Sequence, residues 1–417
     1  MAKDNTKFFE EKNSWSLIKD KLLGYYLVPY FQKVLMTGKP IFYVDCFAGK
    51  GRFEDGNLGS PLIALQIRED CLKRTKRKDK VGAIKTCFID LNYAGELKEN
   101  ISSVNPVYDK PIVISGRYEE EIEQCLQDKH DNNVFLYIDP YGIKALDSNL
   151  FDKFQTYGFY TFEMLINFNS FGFFRDACRV MNVDYKNDNA LSDLDDLVEY
   201  EPTVVSTSKQ SEDLLTRIAG GDYWKHIVLD YRNKKINGYQ AEKRLSVEYK
   251  QWLKQRYKYV LDMPIRLKEG QRPKYRMIHV CDHEDGCFLM AQNMQKQKKE
   301  LFFTIQQNRQ LSLFDMISDY TSSVEGELLT KKEIRQKVEE SLKQIPHDIG
   351  ITKFLAIFIN ENGLICEFKM IYDILSELTS EGMIDIIRIP EKTDKGHLST
   401  FWEEKKGQSV IIRGHRP

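Results

Sequence analysis

The sequence predicts an α/β protein: a mostly parallel sheet with helices on both faces, ending in an antiparallel hairpin and followed by a small α+β domain. Three observations carry this prediction. Apolar runs of strand length alternate with stretches of helical spacing from about residue 14 to about residue 180, the rhythm of consecutive strand and helix units in a doubly wound sheet. The runs Ile41 to Val44, Ala83 to Ile89 and Val134 to Ile138 each close on a carboxylate, Asp45, Asp90 and Asp139. Two later runs, YVLDMPIRL and KYRMIHVCDH, are divided by KEGQRP as the arms of a hairpin would be. A chain of 417 residues exceeds the size at which one core stops growing. The expected division is 1–305, with a polar insertion at about 183–238 that reads as a lid or recognition element, then a linker at 306–325, then 326–417.

Composition narrows the function classes. With 61 Lys plus Arg against 62 Asp plus Glu the net charge is -1, so any nucleic-acid contact has to come from local patches. The start, MAKDNTKFFEEK, has no apolar core of a signal peptide, and no apolar run approaches the ~20 residues of a membrane span. A cytoplasmic protein without membrane contact is expected. Its eight cysteines lack any C-x-x-C pair, which fits reduced thiols.

Trp15, Ile18, Leu22, Tyr25 and Tyr26 recur at helical spacing, so residues 14–36 read as an amphipathic helix that Gly38 and Pro40 end. The strand Ile41 to Val44 follows, then Asp45, then the small-residue turn Phe47, Ala48, Gly49, Lys50 and Gly51. Glycines there allow a ligand close to the backbone. The spacing D-x-F-A-G-x-G is neither the G-x-G-x-x-G dinucleotide fingerprint nor a P-loop, which disfavours ATP. An acid at a strand end followed by A-G-x-G resembles the first motif of class I S-adenosylmethionine-dependent methyltransferases. That resemblance implies a Rossmann-like methyltransferase sheet whose turn passes beneath the methionine part of S-adenosyl-L-methionine. It also implies that the preceding helix covers the cofactor, with Lys12, Trp15 and Lys19 as candidates to reach it. The residues themselves favour a plainer reading, packing for Trp15 and solvent for both lysines.

A helix from Leu62 runs into the basic stretch REDCLKRTKRKDK, a solvated face or a phosphate contact. Asp90 stands where α/β sheets hold ribose hydroxyls. Gly116, Arg117 and Tyr118 lie on the turn where an adenine edge would be read. The fourth strand ends in Asp139, Pro140, Tyr141 and Gly142. Asp139 is suited to accept from an exocyclic amine and Tyr141 to stack on a base, which an enzyme acting on a duplex would first extrude. This resembles the [DN]-P-P-[YF] motif of amino methyltransferases without its second proline, and D-P-[FY]-G is closer to tRNA guanine N2 dimethyltransferases. Asn167 either helps hold the substrate or caps the next helix. His279, Cys281, His283 and Cys287 match no familiar zinc spacing, and no metal is expected.

Taken in order, VDCFAGKGRF, GSPLIAL, FIDLN, LYIDPYG, LINF and the hairpin resemble the three-Cys-motif partner protein family over roughly residues 10 to 300. The family is methyltransferase-like and named for a neighbouring radical S-adenosylmethionine protein. The resemblance implies cofactor contacts at Asp45, Phe47, Gly49, Gly51 and Asp90, and substrate contacts at Asp139 and Tyr141; the positions of the turns and strand ends add Ala48 and Tyr118 on the cofactor side and Pro140 and Asn167 on the acceptor side. The resemblance also implies a possible radical enzyme as partner. Gln310 to Phe314, QLSLF, resembles the pentapeptide by which bacterial proteins dock on the replication sliding clamp, although pinning of the linker is the favoured reading. Residues 326–417 read as a winged helix, a DNA-binding or protein-docking fold. Its leucine-rich helix Phe368 to Thr379 is too acidic for major-groove reading, leaving Arg388, Lys392, Lys395, Lys405, Lys406 and Arg413 to meet phosphates. Two functions result: a methyltransferase acting on the exocyclic amine of a DNA or RNA base, or a non-catalytic partner that keeps the cofactor pocket.

Overall fold

The computed structural model describes residues 14–76, 79, 83–185, 209–265, 273, 275–307, 329–345 and 348–414. It divides into two compact units, Met1–Asp282 and His283–Pro417. The boundary falls earlier than residue 305 because the helix Glu284–Gln307 packs on a helix of the second unit, Ile351–Asn362. Residue types alone do not show which core claims that helix's apolar edge.

The first unit opens with α1 (Ser14–Val34) and β1 (Ile41–Asp45), then α2 (Ser60–Arg74) and β2 (Ile84–Asp90). α3 (Ala94–Val104), β3 (Ile112–Ser115), α4 (Tyr118–Leu126), β4 (Asn133–Ile138), α5 (Ser148–Phe154), β5 (Thr161–Phe168) and α6 (Ser170–Val180) continue the alternation. The strand order is β3-β2-β1-β4-β5-β7-β6, where β6 is Tyr259–Ile265 and β7 is Tyr275–Cys281. β1 to β5 run parallel, and β7 lies antiparallel to both β5 and β6. This is a Rossmann-like α/β sheet, and the order reverses between β1 and β4. Every residue of β1 and β4 is buried, as continuous apolar runs between two helical layers must be. Each fully buried Val, Leu, Ile or Phe there contributes roughly 1.5–3 kcal/mol.

The described part of the expected insertion is not a lid. The helices α7 (Lys209–Ala219) and α8 (Tyr223–Arg232) pack on α6, with Leu215, Ile218 and Trp224 buried and Trp224 edge-on to Phe173. Residues 186–208 lie outside the described residues. Next, α9 (Gly238–Lys254) is tied to the hairpin by a buried charge network. Arg276 donates from Nε to Glu242 at 2.7 Å, from Nη2 to the same carboxylate at 3.0 Å, and from Nη1 to Asp262 at 2.6 Å. A buried charge survives when paired and hydrogen-bonded in this way, and Lys250 and Arg276 hold the Asp262 carboxyl well below its usual range.

A second buried network fixes α1. The Tyr26 hydroxyl donates to Glu163 Oε2, and His279 Nε2 lies 3.0 Å from the same oxygen. The rings of Tyr26 and Tyr30 pack on Phe135 of β4. Lys19 precedes Tyr26 by seven residues, two helical turns, so it shares the face that α1 presents to the sheet. In the second unit α10 (Glu284–Gln307) is followed by α11 (Lys331–Lys343), β8 (Ile349–Gly350), α12 (Ile351–Asn362), α13 (Phe368–Ser380), β9 (Ile384–Ile389) and β10 (Ser409–Gly414). Its small sheet has the order β8-β10-β9, all antiparallel. Residues 310–314 lie outside the described residues, and no described helix is long and apolar enough to cross a membrane.

Candidate cofactor and acceptor site

A cavity of about 340 Å³ opens at the carboxyl ends of β1, β2, β3, β4 and β5. This is the crevice that a doubly wound sheet leaves at its switch point. The volume lies within the roughly 300–1,000 Å³ of small-molecule sites. Its floor is the turn after β1, its walls the tips of β2 to β5, and Ser16, Lys19 and Asp20 of α1 also line it. Those three residues, spaced i, i+3, i+4, form one helix face. Of the residues expected in the site, all but Asp45 line the cavity.

Asp45 sits behind the wall. It is 0% exposed, its Oδ1 accepts from the Phe47 N–H at 3.3 Å, and its Oδ2 has no partner among the described residues. Burial pushes its carboxyl up to about 7; the Ser60 hydroxyl and the Phe47 N–H oppose this, while the carboxylates of Asp139 and Asp20 add to it. The expected direct cofactor contact at Asp45 is therefore corrected: of the three acids that close strands, Asp90 and Asp139 line the cavity, and Asp45 stands beneath it with an unfilled acceptor.

The glycine turn holds its shape through Asp90. Oδ2 accepts from Gly49 N at 2.8 Å, and Oδ1 from Asn92 N at 2.8 Å and Tyr93 N at 2.7 Å. Three backbone donors thus take three of about four lone-pair directions. The carboxylate expected to receive two ribose hydroxyls is first a fastener between two loops, with room for one more donor. Gly51 has φ +78°, and a Cβ there would lie 2.7 Å from Leu97 Cδ1. Gly51→Ala is expected to cost about 3 kcal/mol, combining left-handed strain with overpacking. Gly56→Ala, at φ +87° with nothing within 4 Å, is expected to cost only about 1 kcal/mol. Denaturant midpoints compare the two, and equal losses would remove packing against Leu97 from the account.

An aromatic pair continues the wall from the turn itself. Phe47 and Tyr118 have ring centroids 5.3 Å apart, Tyr118 is buried, and Gly116 and Arg117 complete the tip of β3. On the far side stands Asp139, which accepts from Lys19 Nζ at 2.9 and 2.8 Å, from Asn167 Nδ2 at 2.6 Å and from the Tyr137 hydroxyl at 3.1 Å. Pro140 follows, then Tyr141, 49% exposed at the rim. Asn167 therefore lines the cavity and does not cap α6; the cap is Asn169, whose side chain accepts from Gly172 N at 2.7 Å.

Lys19 reverses the expectation of a solvated lysine. It is 8% exposed, paired with Asp139, and its ammonium stands 5.4 Å from the centre of the Tyr275 ring. Seven-residue spacing to Tyr26 was the available signal. Tyr137 was also missed, although it lies two positions before Asp139 on an alternating strand and so shares its face. Ser60 and Tyr275 had no local signal. Trp15 belongs to α1 but its side chain, like Lys12, lies outside the described residues. His279 is taken by Glu163, and no described group of three His, Cys, Asp or Glu is arranged to hold a metal. No family model matches this chain, and no curated protein matches it significantly.

Proposed function

We propose that the first unit is a class I methyltransferase that uses S-adenosyl-L-methionine to methylate the exocyclic amine of a nucleic-acid base. The observation that carries this reading is a cavity at the reversal point of a 3-2-1-4-5-7-6 sheet, with a glycine turn on one side and the Asp139, Pro140, Tyr141 tip on the other. The residues fit such a cofactor. The orphaned Asp45 Oδ2 beside the turn suits an ammonium group relayed through Ser60, the Phe47 and Tyr118 rings suit an adenine face, and Asp90 retains one acceptor direction for a ribose hydroxyl.

When bound, the cofactor supplies an electrophilic methyl group. The chain's own part is position and orientation. Asp139, held by Asn167 and Tyr137, accepts from the acceptor amine and turns its nitrogen toward the glycine turn. Pro140 fixes the backbone of that tip, and Tyr141 at the rim offers a ring face on which the base stacks. Titration calorimetry with S-adenosylmethionine and S-adenosylhomocysteine tests the reading: heat with both is expected, and none with either would end it.

A second reading rests on a specific observation. All four acceptor directions of Asp139 are already filled, as they would be in a non-catalytic partner that keeps the pocket and presents a substrate or docks a radical enzyme. In both readings the second unit is a winged helix. Its order of helix, strand, two helices and two strands supports that, with the wing spanning residues 390–408. The outward side of α13 carries Lys369, Asp373 and Ser376, a mixed surface poorly suited to a major groove. Arg413 is paired with Asp348 and Arg388 lies over Trp402, so the exposed Lys392, Lys395, Lys405 and Lys406 are left to meet phosphates.

A further inference from the structure

We infer that Lys19 is the charge-setting residue of this cavity: it holds the acceptor position on Asp139 and cancels that carboxylate's charge, so that Asp139 itself adds no preference for a sulfonium donor over its neutral thioether product. The inference rests on the reading of the cavity as a cofactor site. It adds a residue, and a property, that neither the turn nor the Asp-Pro-Tyr tip contains.

The geometry is specific. Lys19 spans both oxygens of Asp139 at 2.9 and 2.8 Å, and it is the only lysine among the described lining residues. Asn167 and Tyr137 hold the other two lone-pair directions from rigid strand positions, so the helical lysine is the donor that an incoming amine can replace. The pair is nearly closed to water, with side chains 10% and 20% exposed, so its charges act at short range with little screening. With Lys19 in place the tip of β4 is neutral. Without it a carboxylate faces the place where a sulfonium would sit.

The two cofactor forms differ by one positive charge, which makes them the probe. The wild-type ratio of the two dissociation constants, donor to product, is the reference for the variants. Lys19→Met uncovers Asp139 and is expected to shift the ratio about tenfold toward the donor. Asp139→Asn leaves the ammonium uncompensated and is expected to shift it about tenfold toward the product. The double variant returns the ratio to near its wild-type value, because the two charges act on each other and on the same ligand. Other charges lining the cavity, Asp20, Asp90, Arg117 and Glu119, are common to all four proteins and cancel in the comparison.

Calorimetry on the full chain reads all eight constants. A lysine that only props up α1 would weaken both ligands together and leave the ratio alone, so parallel losses overturn the inference while the cofactor reading survives. Opposite shifts in the single variants support it. Absence of binding by the wild-type chain overturns both.

Discussion

Asp139→Ala is expected to lower transfer of label from methyl-labelled S-adenosylmethionine to DNA or RNA by about 10²-fold or more. An amine nitrogen attacks only when its lone pair faces the methyl carbon, and a fixed acceptor on the opposite side sets that direction. Alanine removes the acceptor and strands three donors, the Lys19 ammonium, the Asn167 amide and the Tyr137 hydroxyl. Positioned proton acceptors are typically worth 10² to 10⁴ in rate, so the loss is readily measured. Asp139→Asn, which retains shape and one acceptor, is expected to fall between the alanine variant and the wild type. Binding heat with S-adenosylhomocysteine that persists in the alanine variant separates lost chemistry from a collapsed pocket. Undiminished transfer in that variant would remove Asp139 from the reaction. Absence of transfer by the wild-type chain, with cofactor bound, would favour the non-catalytic partner.

Asp45→Asn is expected to stabilise the protein at pH 8 by up to about 4 kcal/mol and to bring no gain below pH 4. The sign follows from proton counting. Unfolded, the carboxyl titrates at its ordinary 3.8; folded, burial raises it to about 7. Between those values the folded state holds a proton that the unfolded state has released, so the wild-type chain loses stability as pH rises and levels off above about 7. The interval of roughly three units, at about 1.4 kcal/mol each, sets the ceiling. Asparagine has no proton to lose, so its curve lacks this slope. Urea melts of both proteins from pH 4 to pH 8 give the comparison, and parallel curves would mean that Asp45 titrates normally.

Cofactor affinity is expected to run the other way. If an ammonium group is held through the Asp45 carboxylate, binding favours the ionised form, and wild-type affinity falls up to about tenfold for each pH unit below 7. The Asp45→Asn variant binds more weakly at pH 8 and is flat over that window. Stability and binding thus trade against one another at one oxygen, as they do where a strained group is kept for function.

Much of this was legible because strands and turns are local. Ile41 to Val44 and Val134 to Ile138 announce buried strands by lacking any polar interruption, and Asp139 with Pro140 marks a strand tip without reference to anything distant. Lys19 was illegible for the opposite reason. A lysine beside the apolar stripe of an amphipathic helix reads as solvated, and its partner lies 120 residues away on another element. The helices α7 and α8 were obscured by the acidic stretch before them, which made the whole region read as a surface insertion, although Leu215 and Trp224 are core residues.

Periodicity and residue type alone determined the alternation of strands and helices, the glycine turn, the acids at three strand ends and the hairpin that closes the sheet. Only the assembled fold decided that Asp45 lies beneath the cavity while Asp90 and Asp139 line it, that α1 lends a lysine to the tip of β4, and that Glu284–Gln307 belongs to the second core. The physical reason is range. Backbone preference and apolar patterning act over a few residues, whereas burial, charge and hydrogen bonding of a side chain are set by whatever the packed chain brings within a few ångströms of it.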